Sequence, residues 1–157
     1  MDPLIMAILL SMSPISELRG GIPYALSQGL SIEQAFLVCV LANIVVATFI
    51  MFFLTFLHSY FIKVGFYNKT FNYFLKRIRK KSYEVERNMG NLGYLALCIF
   101  VAIPLPVTGA WTGTLIAWLL GLNKFKSILA ISLGVIIAGI IVSLIAFGII
   151  NFFYFIF

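Results

Sequence analysis

Long apolar runs dominate this chain, and two short stretches rich in proline, glycine and polar residues interrupt them. The first interruption, at residues 14–23, carries one glutamate and one arginine, whereas the second, at 104–113, is uncharged. One long hydrophobic run follows each of them. Irregular backbone at membrane depth needs protein or a water-filled cavity around it, because lipid cannot pair with exposed peptide groups. Two such interruptions in corresponding halves are typical of a transporter site.

The first half predicts a short limb, a loop and one spanning helix. Residues 4–12 would rise about 14 Å as a helix, roughly half of a hydrocarbon core, so this limb cannot span. The loop 13–23 follows, with a short return limb behind it. Ser31 and Gln34 then form a capping box at the start of an apolar run, 35–57, that is long enough to cross a membrane once.

The second half repeats this plan. It predicts a limb at 92–103, a return limb at 114–120 after the second interruption, and a span from about residue 128 to 157. Aligning residues 29–31 with 121–123 superimposes the two interruptions and the two spans. We therefore predict an inverted repeat, in which each half is a re-entrant hairpin followed by a transmembrane helix.

The composition fixes the class of protein. Hydrophobic residues make up 62% of the chain and charged residues 10%, with a mean hydropathy of +1.10. A chain of 157 residues with so little polar surface cannot cover a soluble globule. We expect an all-α integral membrane protein with one membrane domain, 1–157, made of repeat 1 (1–57), a linker (58–90) and repeat 2 (91–157).

The positive charge predicts the orientation. The linker 58–90 combines apolar residues at helical spacing with many lysines and arginines, which is typical of a basic amphipathic helix on a membrane surface. Every Lys and Arg except Arg19 lies between Lys63 and Lys126. The positive-inside rule makes that face cytoplasmic and leaves both termini outside the plasma membrane, with Lys124 and Lys126 at a cytoplasmic entrance. This placement does not suggest nucleic-acid binding.

The candidate chemistry is concentrated in Ser16, Glu17 and Arg19. A charged side chain at membrane depth is paired, protonated or facing water. Glu17 and Arg19 either pair with each other and clamp the first hairpin, or they work on a substrate. In the second case Glu17 suits a proton site, because a low-dielectric surrounding favours its neutral form. Arg19 suits an anionic head group such as phosphate.

Other residues of the two interruptions complete the predicted site. Prolines at both edges are expected to shape the hairpins: Pro14, Pro23, Pro104 and Pro106. Glycines allow close backbone approach, and the amide ends of both return limbs add partial positive charge. The predicted substrate or proton site therefore also includes Gly20, Gly21, Thr108, Gly109, Trp111, Thr112 and Gly113. For each glycine and for Trp111, plain packing is the alternative.

No enzyme motif is present. The chain lacks H-E-x-x-H, G-x-S-x-G and P-loop patterns, and His58 is its single histidine. We expect no enzymatic activity, no cofactor and no metal. Two spans and two half-depth hairpins leave little protein to cover the loops, so we expect a homodimer in the lipid bilayer.

Together, the segments 16–23 and 104–113 resemble the paired signatures of the small multidrug export protein family, which resembles more distantly the DedA (VTT-domain) membrane proteins. The resemblance covers nearly the whole chain except 58–90. It implies two re-entrant hairpins in inverted repeat and, for the DedA side, proton-linked transport or movement of a lipid phosphate such as undecaprenyl phosphate. Glu17 and Arg19 would be the acid and the base of the first hairpin. Unlike DedA proteins, this chain has no charge in its second hairpin.

The favoured function is translocation of an anionic lipid, a polyprenyl or phospholipid phosphate, coupled to protons through Glu17. The first alternative is proton-coupled small multidrug efflux; Arg19 beside Glu17 argues against it, because a guanidinium repels lipophilic cations. The second alternative is a non-transporting membrane scaffold in which the hairpins only pack.

The topology can be tested by cysteine labelling. In a background lacking Cys39 and Cys98, single cysteines at Gly90 and Asn123 should react from the cytoplasm, and cysteines at the termini from outside, because the basic residues mark one face. Labelling of positions 90 and 123 from opposite sides would exclude the second hairpin.

Overall fold

The computed structural model of the protein describes residues 2–61, 91–105 and 108–156. This part of the chain contains six helices and no strand. In chain order they are α1 (Pro3–Met12), α2 (Glu17–Ser27), α3 (Ile32–Phe61), α4 (Leu92–Ala102), α5 (Ala110–Leu120) and α6 (Lys124–Ile156). The linker helix expected within 58–90 lies outside the described residues from position 62 onward, as does Pro106.

The first helix pair is more regular than its sequence suggests. α1 matches the predicted limb, but the predicted loop 13–23 is wrong beyond residue 16, because α2 begins at Glu17 and contains Pro23. A proline inside a helix removes one hydrogen bond, here to the Arg19 carbonyl, and strains the preceding turn. Contacts of α2 with α1, α3 and α6 offset this loss. The two helices lie so close that a Cβ on Gly21 would overlap the Ser11 hydroxyl.

The second helix pair folds back on itself. α4 ends at Ala102 as the sequence predicts, whereas α5 begins at Ala110, four residues before the predicted return limb. Beyond the end of α5, the Asn123 N–H donates to the Tyr94 hydroxyl at the start of α4, at 3.2 Å. The Lys126 ammonium lies over the same Tyr94 ring, 5.6 Å from its centre. Both ends of the segment 94–123 therefore lie together.

The two long helices have small residues inside and large apolar residues outside. Ser31 and Gln34 exchange two hydrogen bonds of 3.3 Å, so the predicted capping box is present before α3. Small residues and Asn43 are buried along their inner faces: Ala35, Cys39, Asn43, Ala47, Ala130 and Ala138. Large side chains such as Leu41, Phe49 and Leu133 are more than half exposed. By length and composition, α3 and α6 are the two candidate membrane spans among the described residues.

Contacts between helices correspond in the two halves. α1 packs on α3 as α4 packs on α6, and α2 contacts both long helices as α5 does. α3 and α6 also contact each other directly, and α2 and α5 each pack against both of them. The contact between α4 and α5 is smaller than that between α1 and α2.

Gly21 provides a test of the α1–α2 packing. In Gly21→Ala the new Cβ would overlap the Ser11 hydroxyl and lie 2.9 Å from the Ala7 carbonyl oxygen. We expect the free energy of unfolding to fall by about 1–3 kcal/mol, as for other overpacked contacts, and thermal unfolding in detergent measures it. Gly148→Ala is the matched control, because nothing lies within 4 Å of a Cβ there. Equal melting temperatures of the two variants would contradict the packing described.

Candidate functional site

Three hydrogen bonds join the first interruption to the second. The Arg19 guanidinium donates through Nη2 to the Thr108 carbonyl at 2.9 Å. The Trp111 indole N–H donates to the Met12 carbonyl at 3.0 Å, and the Trp111 backbone N–H donates to Glu17 Oε1 at 3.2 Å. The starts of α2 and α5, distant in sequence, thus form one polar site.

Glu17 is the centre of this site. Its side chain is buried, with Arg19 Nη2 at 3.7 Å from Oε2. Its backbone is left-handed, with φ of +47°, the only positive φ outside glycine among the described residues. Such a conformation costs roughly 1–2 kcal/mol for an L-residue. The carboxylate contacts offset this cost, because they hold the side chain against the other half of the protein.

Gly109 leaves the space that the Glu17 carboxylate fills. It is the residue before α5, and a Cβ there would overlap the carboxylate oxygens and lie 2.5 Å from Cδ. The carboxylate therefore sits against the amide end of α5, where backbone N–H groups lack partners within the helix. We expected this end to be open to a substrate anion, but Glu17 occupies it.

The polar cavity at Glu17 is very small. Its open space is about 10 Å³, room for one water at most. Asn43, in the middle of α3, also lines it and is 1% exposed. Its amide N–H donates to the Ser11 carbonyl at 3.1 Å, while its Oδ1 has no donor among the described residues. Asn43 is not among the site residues predicted above; its polar side chain in the middle of an apolar span was the available signal.

A larger, apolar cavity begins at Arg19. It measures about 470 Å³ and lies between α2 and the second half of α6. Besides Arg19 and Ser27 its walls are apolar: Pro23, Pro104, Val142, Ile145, Ala146 and Ile149. Pro23 and Pro104, expected to shape the hairpins, thus also border a cavity. The α6 residues could not be found from sequence, because nothing distinguishes them from lipid-facing apolar residues.

Several predicted site residues have local roles. The Ser16 hydroxyl donates to the Leu10 carbonyl at 2.6 Å, and the Thr108 hydroxyl donates to the Ile103 carbonyl at 2.7 Å. Both hydroxyls thus order their own loops. Trp111 lines neither of the two cavities that Arg19 lines.

Small and turn residues predicted for the site lie around it. Gly20 contacts Ser16, and Gly113 lies against α4 at Val101. Pro14 lies in the turn before α2, and Thr112 is half-buried in the first turn of α5. Gly20 and Gly113 thus pack within their own helix pairs, whereas Pro14 is exposed.

The structure does not bring Lys124 and Lys126 to Glu17 and Arg19. Lys124 lines a separate cavity of about 240 Å³ with His58 and Trp118. Along α6 it lies 18 residues before Val142, which corresponds to about 27 Å. The predicted entrance and the polar site are therefore at different depths.

The ionisable residues of the described ranges 2–61, 91–105 and 108–156 do not form a metal centre. No group of three His, Cys, Asp or Glu side chains is close enough to hold an ion there. At the polar cavity itself, Glu17 and Arg19 are the ionisable residues among those that line it.

Comparison with known families adds one finding. Residues 17–141 match the family described as "Putative small multi-drug export protein". The chain belongs to this family. Together with its apolar helices, this membership identifies it as a membrane protein. No curated protein and no solved structure matches the chain significantly. The match begins at Glu17 and includes Arg19, Gly109 and Trp111.

Gly109 tests the position of the Glu17 carboxylate. Gly109→Ala should push the carboxylate away from Trp111 and lower the free energy of unfolding by about 1–3 kcal/mol, the cost of unpairing a buried polar group. In a background of Glu17→Ala the same change should cost little, because the overlapping atoms are gone. Thermal unfolding in detergent of the unmodified protein, the two single variants and the double variant measures the interaction energy between positions 17 and 109.

Gly93→Ala is the control, since a Cβ there meets nothing within 4 Å. Additive effects of Glu17→Ala and Gly109→Ala would show that the carboxylate does not lie against Gly109.

Proposed function

We propose that this membrane protein transports anionic amphiphiles, with lipid phosphates as the substrate class. One observation carries the proposal: Arg19 lines both the polar cavity at Glu17 and the apolar cavity of about 470 Å³. A forked guanidinium suits a phosphate, and a cavity of this size and lining suits an alkyl or prenyl chain. Head group and tail would then lie on opposite sides of one side chain.

The proposed arrangement in the membrane is an inverted repeat of re-entrant helix pairs. α1, α4 and α5 have 10 or 11 residues, which corresponds to about 15–17 Å, near half of a hydrocarbon core. The basic linker would lie in the cytoplasm and both termini outside, as the charge distribution predicts. The apolar cavity, beside residues 142–149 of α6, would then open toward the outer leaflet.

A homodimer is part of the proposal. Large apolar side chains are exposed along both long helices, so a second copy could cover part of this surface within the membrane. The distant resemblance to DedA proteins supports lipid phosphate as substrate, with protons carried by Glu17.

Proton-coupled drug efflux is the second candidate, favoured by the description of the matched family. A lipophilic cation would need an accessible carboxylate. Glu17 is buried and already accepts a backbone N–H, with Arg19 beside it. A lipophilic cation would also have to approach the Arg19 guanidinium, which repels it.

A scaffold without transport is the third candidate. A scaffold would also be stabilised by the hydrogen bonds between the two halves, from Arg19 to Thr108 and from Trp111 to Met12. The apolar space of about 470 Å³ next to Arg19 favours a ligand, because it adjoins the guanidinium that also lines the polar cavity.

Arg19 gives the test of substrate charge. Arg19→Ala should lower the transport of a fluorescent lipid phosphate in proteoliposomes by about ten- to a hundredfold, because a hydrogen bond to a charged group contributes about 1.5–3 kcal/mol. Arg19→Lys should weaken it less, since the charge remains and the forked geometry is lost. A cationic dye under a pH gradient should not be transported by the unmodified protein.

Two phenylalanine variants of α6 serve as matched controls. Ala146→Phe enters the apolar cavity and should block lipid transport, whereas Leu144→Phe, on the exposed side, should not. Dye flux that depends on Glu17 and persists in Arg19→Ala, without lipid movement, would establish drug efflux instead.

A further inference from the structure

The Glu17 carboxylate occupies the position where a ligand's anionic group would bind. It accepts the Trp111 N–H at 3.2 Å and lies 3.7 Å from the Arg19 guanidinium. These two groups, an unpaired helix amide and an arginine, are the ones that recognise phosphate oxygens in other proteins. Within this site, a side chain of the protein itself provides the anion.

A phosphate cannot be added beside the carboxylate. The polar cavity has space for one water at most, and the carboxylate fills the place left by Gly109. A ligand that reaches the amide end of α5 must therefore replace Glu17.

Protonation of Glu17 would weaken its contacts with the Trp111 N–H and with Arg19. A neutral carboxyl accepts weakly from the Trp111 N–H and no longer attracts Arg19. It also gains an O–H that needs an acceptor. Asn43 Oδ1, buried in the same cavity without a donor among the described residues, is such an acceptor.

We propose that Glu17 is a built-in competitor for the anionic head group: ionised, it holds the amide end of α5 beside Arg19, and when it takes up a proton it leaves this place to the ligand's phosphate. This inference rests on the proposed function and adds its regulation. Glu17 and Arg19 are the ionisable residues that line the cavity, while α3, α4 and α6 contribute Asn43 and apolar side chains. Proton and anion should therefore bind together.

Binding of a dialkyl phosphate to the full chain in detergent tests the proposal, because the charge of a phosphodiester stays constant between about pH 5 and about pH 8, so that a pH dependence reports proton uptake by the protein. The unmodified protein should bind more tightly at low pH, by at least about threefold per pH unit and at most about tenfold, the limit for one proton. E17Q should bind more tightly than the unmodified protein at about pH 8, with no dependence on pH.

Proton uptake gives a second readout. Adding the dialkyl phosphate to weakly buffered protein should take up protons, because linkage is reciprocal, and E17Q should show no uptake. Glu33→Gln is the matched control: it removes an exposed carboxylate from the first turn of α3 and should keep both the pH dependence and the uptake. Thermal unfolding confirms that each variant is folded.

The outcomes separate this inference from the proposed function. Binding that is equal at all pH values in the unmodified protein, or lost in E17Q although this variant is folded, would overturn the competitor role and leave transport of anions standing. Absence of dialkyl phosphate binding in both proteins at every pH, with binding of a cationic amphiphile, would overturn both.

Discussion

The contact between the Glu17 carboxylate and the amide end of α5 constrains the rest of this structure. A buried carboxylate needs partners, and apart from Arg19 its partner is a backbone N–H of the other half of the chain. The first turns of α2 and α5 must therefore lie against each other. The absence of a side chain at Gly109 and the left-handed backbone at Glu17 are both conditions for this meeting. The long helices can approach because small residues line their inner faces, with Gly139 against Val40.

The same packing leaves unfilled space on one side of Arg19. α2 begins at Glu17, with four residues between it and the end of α1, so Arg19 lies in its first turn and Pro23 one turn further, both facing α6. The short side chains of Val142 and Ala146 on α6 leave open space between α6 and α2. Arg19 consequently has a polar surrounding toward α5 and an apolar one toward α6. The proposed amphiphilic ligand would use this asymmetry.

How far the sequence predicts these features depends on the range of each interaction. The limb ending at Met12 and the capping box of Ser31 and Gln34 are local, and both were predicted. The helix from Glu17 through Pro23 was not, since the sequence predicts a loop there and contacts with α1, α3 and α6 hold Pro23 inside a helix against its own preference. Glu17 and Arg19 could be predicted as site residues because they are charged residues between apolar segments. The Trp111 backbone N–H could not be predicted as the partner of Glu17, since every residue except proline has such a group.

The proposal gives Glu17, where the two halves of the protein meet, a part in both packing and binding. If Glu17 withdraws, two links between the halves remain, because the bonds from Arg19 to Thr108 and from the Trp111 indole to Met12 end on backbone carbonyls and do not involve the carboxylate. The helix pairs would stay together while the amide end of α5 becomes free. Under the proposal, the structural and functional interpretations of the Glu17–Arg19 pair would be two charge states of one site: ionised, it completes the packing, and protonated, it would admit an anion.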